Sequence, residues 1–298
     1  MATCNGQSFL EEQLQSIEAQ TWPDIDVIIS DDGSTDSTLE IASSFAQSWQ
    51  KGRIYIANGP QSGFAENFRS LLLNGNVDGE YVAFSDQDDI WKPEKLSKAV
   101  EALAQADAGQ PALYCGRTEF YPYPDKNKMS PLFKKPPSFR NALVQSIAGG
   151  NTMVMNRVAF ELLRESARRT SFVSHDWWAY LVVTGCGGWV FYSSEPDILY
   201  RQHGTNLVGA NNTFSARVDR FQMLLNGRFR QWTDANLAGL DLCLDMLTPK
   251  AKSQLLEFHN VRHSSMSRRL GALRKSEVYR QTFCGQVGLS VACALGLL

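Results

Sequence analysis

Between residues 9 and 106 the spacing of apolar positions switches back and forth between two periods. In Phe9–Gln20 the apolar residues fall at 10, 14 and 17, which is helical spacing. Asp26–Ser30 then carries Val27, Ile28 and Ile29 without a break, the mark of a short strand covered on both faces. Thr38–Gln50 returns to helical spacing with Leu39, Ile41, Phe45 and Trp49. Arg53–Ala57 reads as a second strand, Ala65–Leu73 as a helix and Tyr81–Ser85 as a third strand. Pro93–Ala106 closes the series as a helix whose first turn holds the proline, where the missing N–H costs little. Polar turn formers fill Asp31–Thr38 and Asn58–Gly63. The alternation predicts an α/β layer with a mostly parallel sheet flanked by helices.

Beyond residue 110 the pattern loosens. Tyr121–Pro137, with five prolines and four lysines, reads as an exposed loop. Ala142–Met155 holds Ile147-Ala-Gly-Gly-Asn151, a turn leading into a strand. Val158–Arg168 is helical, Asp176–Val183 is apolar enough for a buried helix, Gly188–Tyr192 is a strand, and from about residue 214 only helices are expected. The chain therefore divides into a body, 1–213, and a helical C-terminal region, 214–298.

Composition narrows the classes. With 298 residues, 43% apolar and 20% charged, the chain is globular, and a net charge of −2 excludes a general nucleic-acid binder. The balance hides a split: residues 1–214 carry 17 basic and 25 acidic side chains, net −8, and residues 215–298 carry 12 and 6, net +6. The six cysteines, without CxxC spacing, fit free thiols in a reducing compartment, and no signal peptide is seen. The expected location is cytoplasmic. Gln281–Leu298 runs 18 residues without a charge, behind Arg262, Arg268, Arg269, Arg274, Lys275 and Arg280. Basic residues before an apolar end suit peripheral contact with the inner face of the cytoplasmic membrane, unless that helix simply closes the core.

Ligands of open parallel α/β sheets bind beyond the carboxyl ends of the strands. Two acidic clusters stand there: Asp31-Asp32-Gly33-Ser34-Thr35-Asp36 and Asp86-Gln87-Asp88-Asp89. Grouped carboxylates repel one another unless a cation or hydrogen-bond donors neutralise them, and their hard oxygens suit Mg²⁺ or Mn²⁺ rather than zinc. The first cluster alone could equally cap the following helix. Two further polar clusters follow, Ser174-His175-Asp176-Trp177-Trp178 and Tyr200-Arg201-Gln202-His203-Gly204-Thr205-Asn206.

Met1-Ala-Thr-Cys-Asn-Gly-Gln7, Ser30-Asp-Asp-Gly-Ser-Thr-Asp36 and Phe84-Ser-Asp-Gln-Asp-Asp-Ile-Trp91 together resemble the family 2 glycosyltransferases, whose fold is called GT-A. The resemblance covers roughly residues 1–210 and rests on three motifs in order. It implies a nucleoside-diphosphate sugar donor, a divalent metal and an inverting transfer to a hydroxyl. Thr3, Asp31 and Asp32 would line the nucleoside pocket, and Gly63 and Asn67 would pass beside the donor. Asp86 would lie near the ribose and Asp88 would ligate the metal. Asp176 matches the family's later acidic motif, which implies the catalytic base. Trp177 and Trp178 would desolvate it or stack on a sugar. Tyr200–Asn206 resembles rhamnosyltransferase-like members, which favours dTDP-rhamnose over UDP-sugars. Arg201 would clamp a phosphate, and His203 would complete the metal shell or donate to the diphosphate. Gly150 and Asn151 resemble the acceptor-side loop, and the acceptor would be a growing surface glycan, lipid-linked or not. The implied metal makes physical sense, because a divalent ion offsets charge on the departing diphosphate and lets an acidic body bind it.

Two departures stand out. The apolar strand that family members place before the Ala-Thr-x-Asn-Gly stretch is missing, so Met1 is expected to match an internal methionine with the native start upstream. Cys4 replaces a common Tyr, which weakens base stacking. Competing readings fare worse. Ser30-Asp-Asp-Gly-Ser misses the register of a haloacid-dehalogenase phosphatase, and a calcium loop from Asp86 would have Trp91 in place of Gly and Ser97 in place of Glu. The remaining alternative is a non-catalytic sugar-nucleotide-binding or membrane-recruited protein, crippled by the missing strand.

Overall fold

Apolar runs and amphipathic helices alternate in the structure as the sequence pattern demands. The computed structural model describes residues 1–122, 129–202 and 227–298. The first layer comprises β1 (Ala2–Thr3), α1 (Leu10–Glu18), β2 (Val27–Asp31), α2 (Thr38–Ser48), β3 (Ile54–Asn58), α3 (Phe64–Leu73), β4 (Tyr81–Ala83), β5 (Ile90–Trp91) and α4 (Lys95–Leu103). Then come β6 (Ala112–Gly116), β7 (Glu119–Tyr121), α5 (Phe139–Ala142), β8 (Val154–Asn156), α6 (Arg157–Arg169), α7 (His175–Gly185), β9 (Trp189–Ser193) and β10 (Ile198–Arg201). The C-terminal helices are α8 (Arg228–Leu242), α9 (Pro249–His263), α10 (Met266–Ser276) and α11 (Phe283–Leu295).

Strands β1, β2 and β3 pair in parallel, with Ala2 opposite Ser30 and Thr3 opposite Asp31. A second sheet runs β4-β8-β6-β9, with β6 and β9 parallel and β8 antiparallel to both its neighbours. Ala2 N donates to Ser85 O at 3.2 Å, which ties the first sheet to the end of β4. A third sheet, β5-β10-β7, stands beside them. Strand β1 is two residues long, and Met1 before it is buried with its ammonium donating to Ile28 O at 2.7 Å. Pro93 lies ahead of α4 rather than in its first turn.

Strand β6 shows how the layers close. Ala112 and Tyr114 point into one core with Leu10, Leu14, Ile29, Trp91 and Leu96, while Leu113 and Cys115 point into the other. Alternate residues of a strand face opposite sides, so the two cores lie on the two faces of the sheet. The second core holds Phe68, Phe160, Leu163, Trp178 and Tyr180, and also Leu237 and Leu240 of α8, Phe258 and Val261 of α9, and Leu289 of α11. The C-terminal helices thus share the body's core, and the expected boundary at 213/214 lies outside the described residues. Asn156 caps α6, Thr248 caps α9 ahead of Pro249, and Thr282 caps α11, each side chain accepting from a backbone N–H three residues on. All six cysteines are free thiols.

Candidate active site

Asp31 is the last residue of β2, so its carboxylate emerges at the carboxyl end of the sheet. It is buried, accepting from Thr3 Oγ1 at 2.9 Å, Ser34 N at 2.8 Å and Ser34 Oγ at 2.6 Å. Asp32 clamps the next loop: its Oδ1 accepts from Gln61 N at 2.6 Å and its Oδ2 from Gly63 N at 2.9 Å. Gly63 has φ +87° and opens α3, a left-handed conformation that glycine tolerates without strain. Asn67, one turn into α3, donates Nδ2 to Ser30 O at 2.9 Å. Thr3, Asp31, Asp32, Gly63 and Asn67 are thus one assembly, with two carboxylates ordering the loops rather than standing free. Gly59 belongs with them, since a Cβ there would lie 2.9 Å from both Asp31 O and Asp32 Oδ1.

The second acidic cluster leaves β4 in the short stretch before β5. Gln87 bonds in both directions to Cys4, accepting from Cys4 N at 2.8 Å and donating to Cys4 O at 3.0 Å, which welds this loop to the first turn of the chain. Asp86 is half-buried, and burial, Asp88 and Asp176 together push its carboxyl up to about 7, against the opposing Met1 ammonium. Burial pulls that ammonium down to about 5. Asp89 is fully buried and accepts from Asn151 Nδ2 at 2.6 Å, and burial first, then Asp86 and Asp88, hold it well above the usual carboxylate range. Behind the loop, Lys95 is also fully buried, its Nζ 3.5 Å from the centre of the Trp91 ring. Desolvation brings it down to about 7 despite the nearby Asp197 and Asp89. Arg201 Nε donates to Asp88 O at 3.0 Å, its guanidinium pairs with Glu12, and it lies over the rings of Phe9 and Tyr121. It ties the acidic loop to α1 and β10.

Asp176 enters from a third direction, in the first turn of α7, with Oδ1 accepting from Trp177 N at 2.7 Å and Oδ2 3.4 Å from Ser146 Oγ. Its charge reaches Asp86 although the two are far apart in sequence. His175 beside it stacks on Phe68 at 3.5 Å between ring centres and meets Phe84 edge-on at 4.8 Å. Neither ring nitrogen has a hydrogen-bond partner among the described residues, and burial lowers the imidazole to about 4, so it is neutral. Gly150 sits against it, where a Cβ would fall 1.9 Å from His175 Nε2.

Two expectations need correction. Trp177 and Trp178 present no face to a sugar: they are 6% and 0% exposed, their indoles donate to Ala142 O and Ser166 Oγ, and they stack on Phe229 and Phe172. A helix apolar on every side is buried on every side. Gly150 and Asn151 are likewise internal, the one packed on His175 and the other bonded to Asp89. His203 lies outside the described residues. The pattern of the sequence passed over Glu12, Gly59, Gln87, Asp89 and Lys95 as site residues. The acidic run around Gln87 and Asp89 was the only local signal, because Glu12, Gln87 and Asp89 find their partners Arg201, Cys4 and Asn151 in distant segments.

The residues fit a divalent cation. Among the described residues no three His, Cys, Asp or Glu side chains gather as a ready metal cage. Asp88 and Asp86 offer carboxylate oxygens, and Mg²⁺-type sites commonly take one or two carboxylates and complete the shell with substrate phosphates and water. A carboxyl raised to about 7 by burial first, and then by the neighbouring charges of Asp88 and Asp176, is also one that a cation would ionise.

Comparison with known proteins gives one direction. The glycosyl transferase family 2 model matches residues 1–164. The dTDP-rhamnosyl transferase RfbG of Shigella flexneri is 31% identical over 239 residues, 78% of this chain and 81% of that protein. Among solved structures, S. aureus TarS 1–349 in complex with UDP superposes with a TM-score of 0.57 at 14% identity, covering 99% of this chain and 87% of that one. The mannosyltransferase PcManGT from Pyrobaculum calidifontis, in complex with GDP-Man and Mn²⁺, gives 0.52 at 18% identity, covering 100% and 79%.

Proposed function

This chain belongs to glycosyl transferase family 2, and from that premise we propose that it moves rhamnose from dTDP-rhamnose, with inversion, to a hydroxyl of a surface-glycan acceptor, free or lipid-linked. The observation that carries the reading is the convergence of three carboxylate-bearing segments: Gln87 bonds Cys4 beside the Thr3–Asp31 pair, and Asn151 ties Asp89 to the Gly150 turn on which His175, next to Asp176, packs. The similarity to a dTDP-rhamnosyl transferase supports the choice of donor, and the bound UDP and GDP-Man of the two structural neighbours support a nucleotide-sugar site in this fold.

In this reading Thr3, Asp31, Asp32, Gly63 and Asn67 shape the nucleoside pocket, and Asp86 lies on its ribose side. Asp88 would hold the divalent ion, Mg²⁺ or Mn²⁺, with Asp86 beside it, and the ion when bound offsets charge on the diphosphate. Arg201 acts by positioning Asp88 through its carbonyl. Asp176 takes the proton of the acceptor hydroxyl as its oxygen attacks the anomeric carbon opposite the leaving diphosphate, so the configuration inverts.

Calorimetric titration with dTDP and with UDP, each with and without Mn²⁺, tests the donor half. Metal-dependent binding, tighter for dTDP, is expected. Tighter binding of UDP would move the donor to a UDP-sugar, and failure of both nucleotides to bind would overturn the reading.

A further inference from the structure

The C-terminal helices expose a surface that the transfer reaction does not use. Helix α11 has no charged residue, and every fourth position faces outward: Phe283 is 83% exposed, Val287 46%, Val291 41% and Leu295 58%. A spacing of four sets these side chains in one row. The opposite face sends Leu289, Ala292 and Cys293 into the core. Between the two faces, Gln286 and Ser290 line a groove of about 340 Å³ together with Leu270 and Arg274 of α10. On α10, Met266 is 70% exposed and Leu270 51%. Two packed helices therefore each present exposed apolar side chains beside this groove. Scattered exposed apolar residues are ordinary, but a row of four along one helix face marks an interaction site.

The charge around the row points to its partner. Helix α10 carries Arg268, Arg269, Arg274 and Lys275 and no acidic residue, and Arg268, Arg274 and Lys275 are exposed. From residue 262 to 298 the sequence holds a single acidic residue, Glu277, which pairs with Arg140. We propose that α10 and α11 form an in-plane docking surface for an anionic lipid bilayer. The row from Phe283 to Leu295 enters the acyl boundary while the α10 cations meet the headgroups, the division of labour of an interfacial helix. The 13 residues of α11 make a rod about 20 Å long, against about 30 Å of hydrocarbon. The helix therefore lies along the bilayer, and among the described residues no helix is long and apolar enough to cross it.

Flotation of the full chain with phosphatidylcholine vesicles, and with vesicles that also contain phosphatidylglycerol, tests this directly. The chain is expected to float with the anionic vesicles only, and less so at high salt. Neutralising Arg268, Arg274 and Lys275 to Gln should weaken partition about a hundredfold, taking about fivefold per charge. The Phe283→Ser/Val287→Ser variant should weaken it about tenfold or more. Both variants alter exposed side chains, so their thermal midpoints should match the parent's and separate lost docking from lost folding. Equal binding to neutral vesicles, or undiminished binding of either variant, would overturn the proposal. So would an absence of vesicle binding together with a dimer that Phe283→Ser/Val287→Ser dissociates, which would assign the row to a second copy of the chain.

Discussion

Asp176 and Asp88 carry different halves of the proposed reaction, and single substitutions should separate them. Asp176→Asn keeps the size and polarity of the side chain but removes the base. Donor affinity should stay within about twofold while kcat falls about a thousandfold, within the usual span of general-base losses. Asp88→Ala should abolish the Mn²⁺ dependence of nucleotide binding, read by the same titration. His175 gives a prediction of a different kind. Its folded value of about 4 lies below the ordinary 6.5, so the unfolded chain binds a proton that the folded chain refuses. Stability is complete above pH 6.5 and falls as pH drops towards 4, by about 3 kcal/mol if the shift is fully expressed. Denaturant unfolding at pH 7 and pH 5 measures this, and His175→Gln should flatten the slope in that interval. In the sequence His175 reads as readily as a structural residue as a catalytic one, unlike its neighbour Asp176. The rings of Phe68 and Phe84, from α3 and the end of β4, make it part of the core.

At the level of elements, the site depends on how α7 meets the turn at Gly150. His175 is wedged between two phenylalanine rings and cannot move aside for a new methyl group. Gly150→Ala should therefore cost about 1–3 kcal/mol, as overpacking of a tight core does, and denaturant titration would show it. Asn151, the next residue, holds Asp89, so a shift of this turn should also loosen metal-dependent nucleotide binding. The periodicity of the sequence located α7 because an unbroken apolar run has few other ways to fold. The short strands β5, β7 and β10 were not legible: two to four residues are too few to show a period. What pairs them is tertiary, as β10 carries Arg201 between β5 and β7.

In the whole molecule, α8–α11 are not an appendage. Phe258, Val261 and Leu289 lie in the same core as Phe160 and Trp178, and each fully buried apolar side chain contributes about 1.5–3 kcal/mol. Removing several of them exceeds the margin of about 5–15 kcal/mol by which a domain is stable. A chain ended before Pro249 should therefore fail to give a cooperative transition, while the full chain should melt in one calorimetric step. Two separate steps would show that the C-terminal helices fold as their own unit. The charge split between the two halves was plain from composition, because charge adds up without reference to shape. Its consequence, an apolar row beside exposed cations, required the helices to be docked.

The sequence by itself determined the α/β alternation, the acidic turns at strand ends and the family resemblance. All of these are local in the chain: a hydrophobic period, a run of turn formers and a short motif each lie within one element and its neighbour. Tertiary structure decided what several of these residues pack against. It places Trp177 and Trp178 in the core, bonds Asn151 to Asp89, and sets Arg201 between the Asp88 carbonyl and Glu12. The physical reason is that burial and partnership depend on segments far apart in the chain. The same indole or guanidinium is a ligand contact or a structural brace according to what packs against it, and spacing along the sequence carries no record of that.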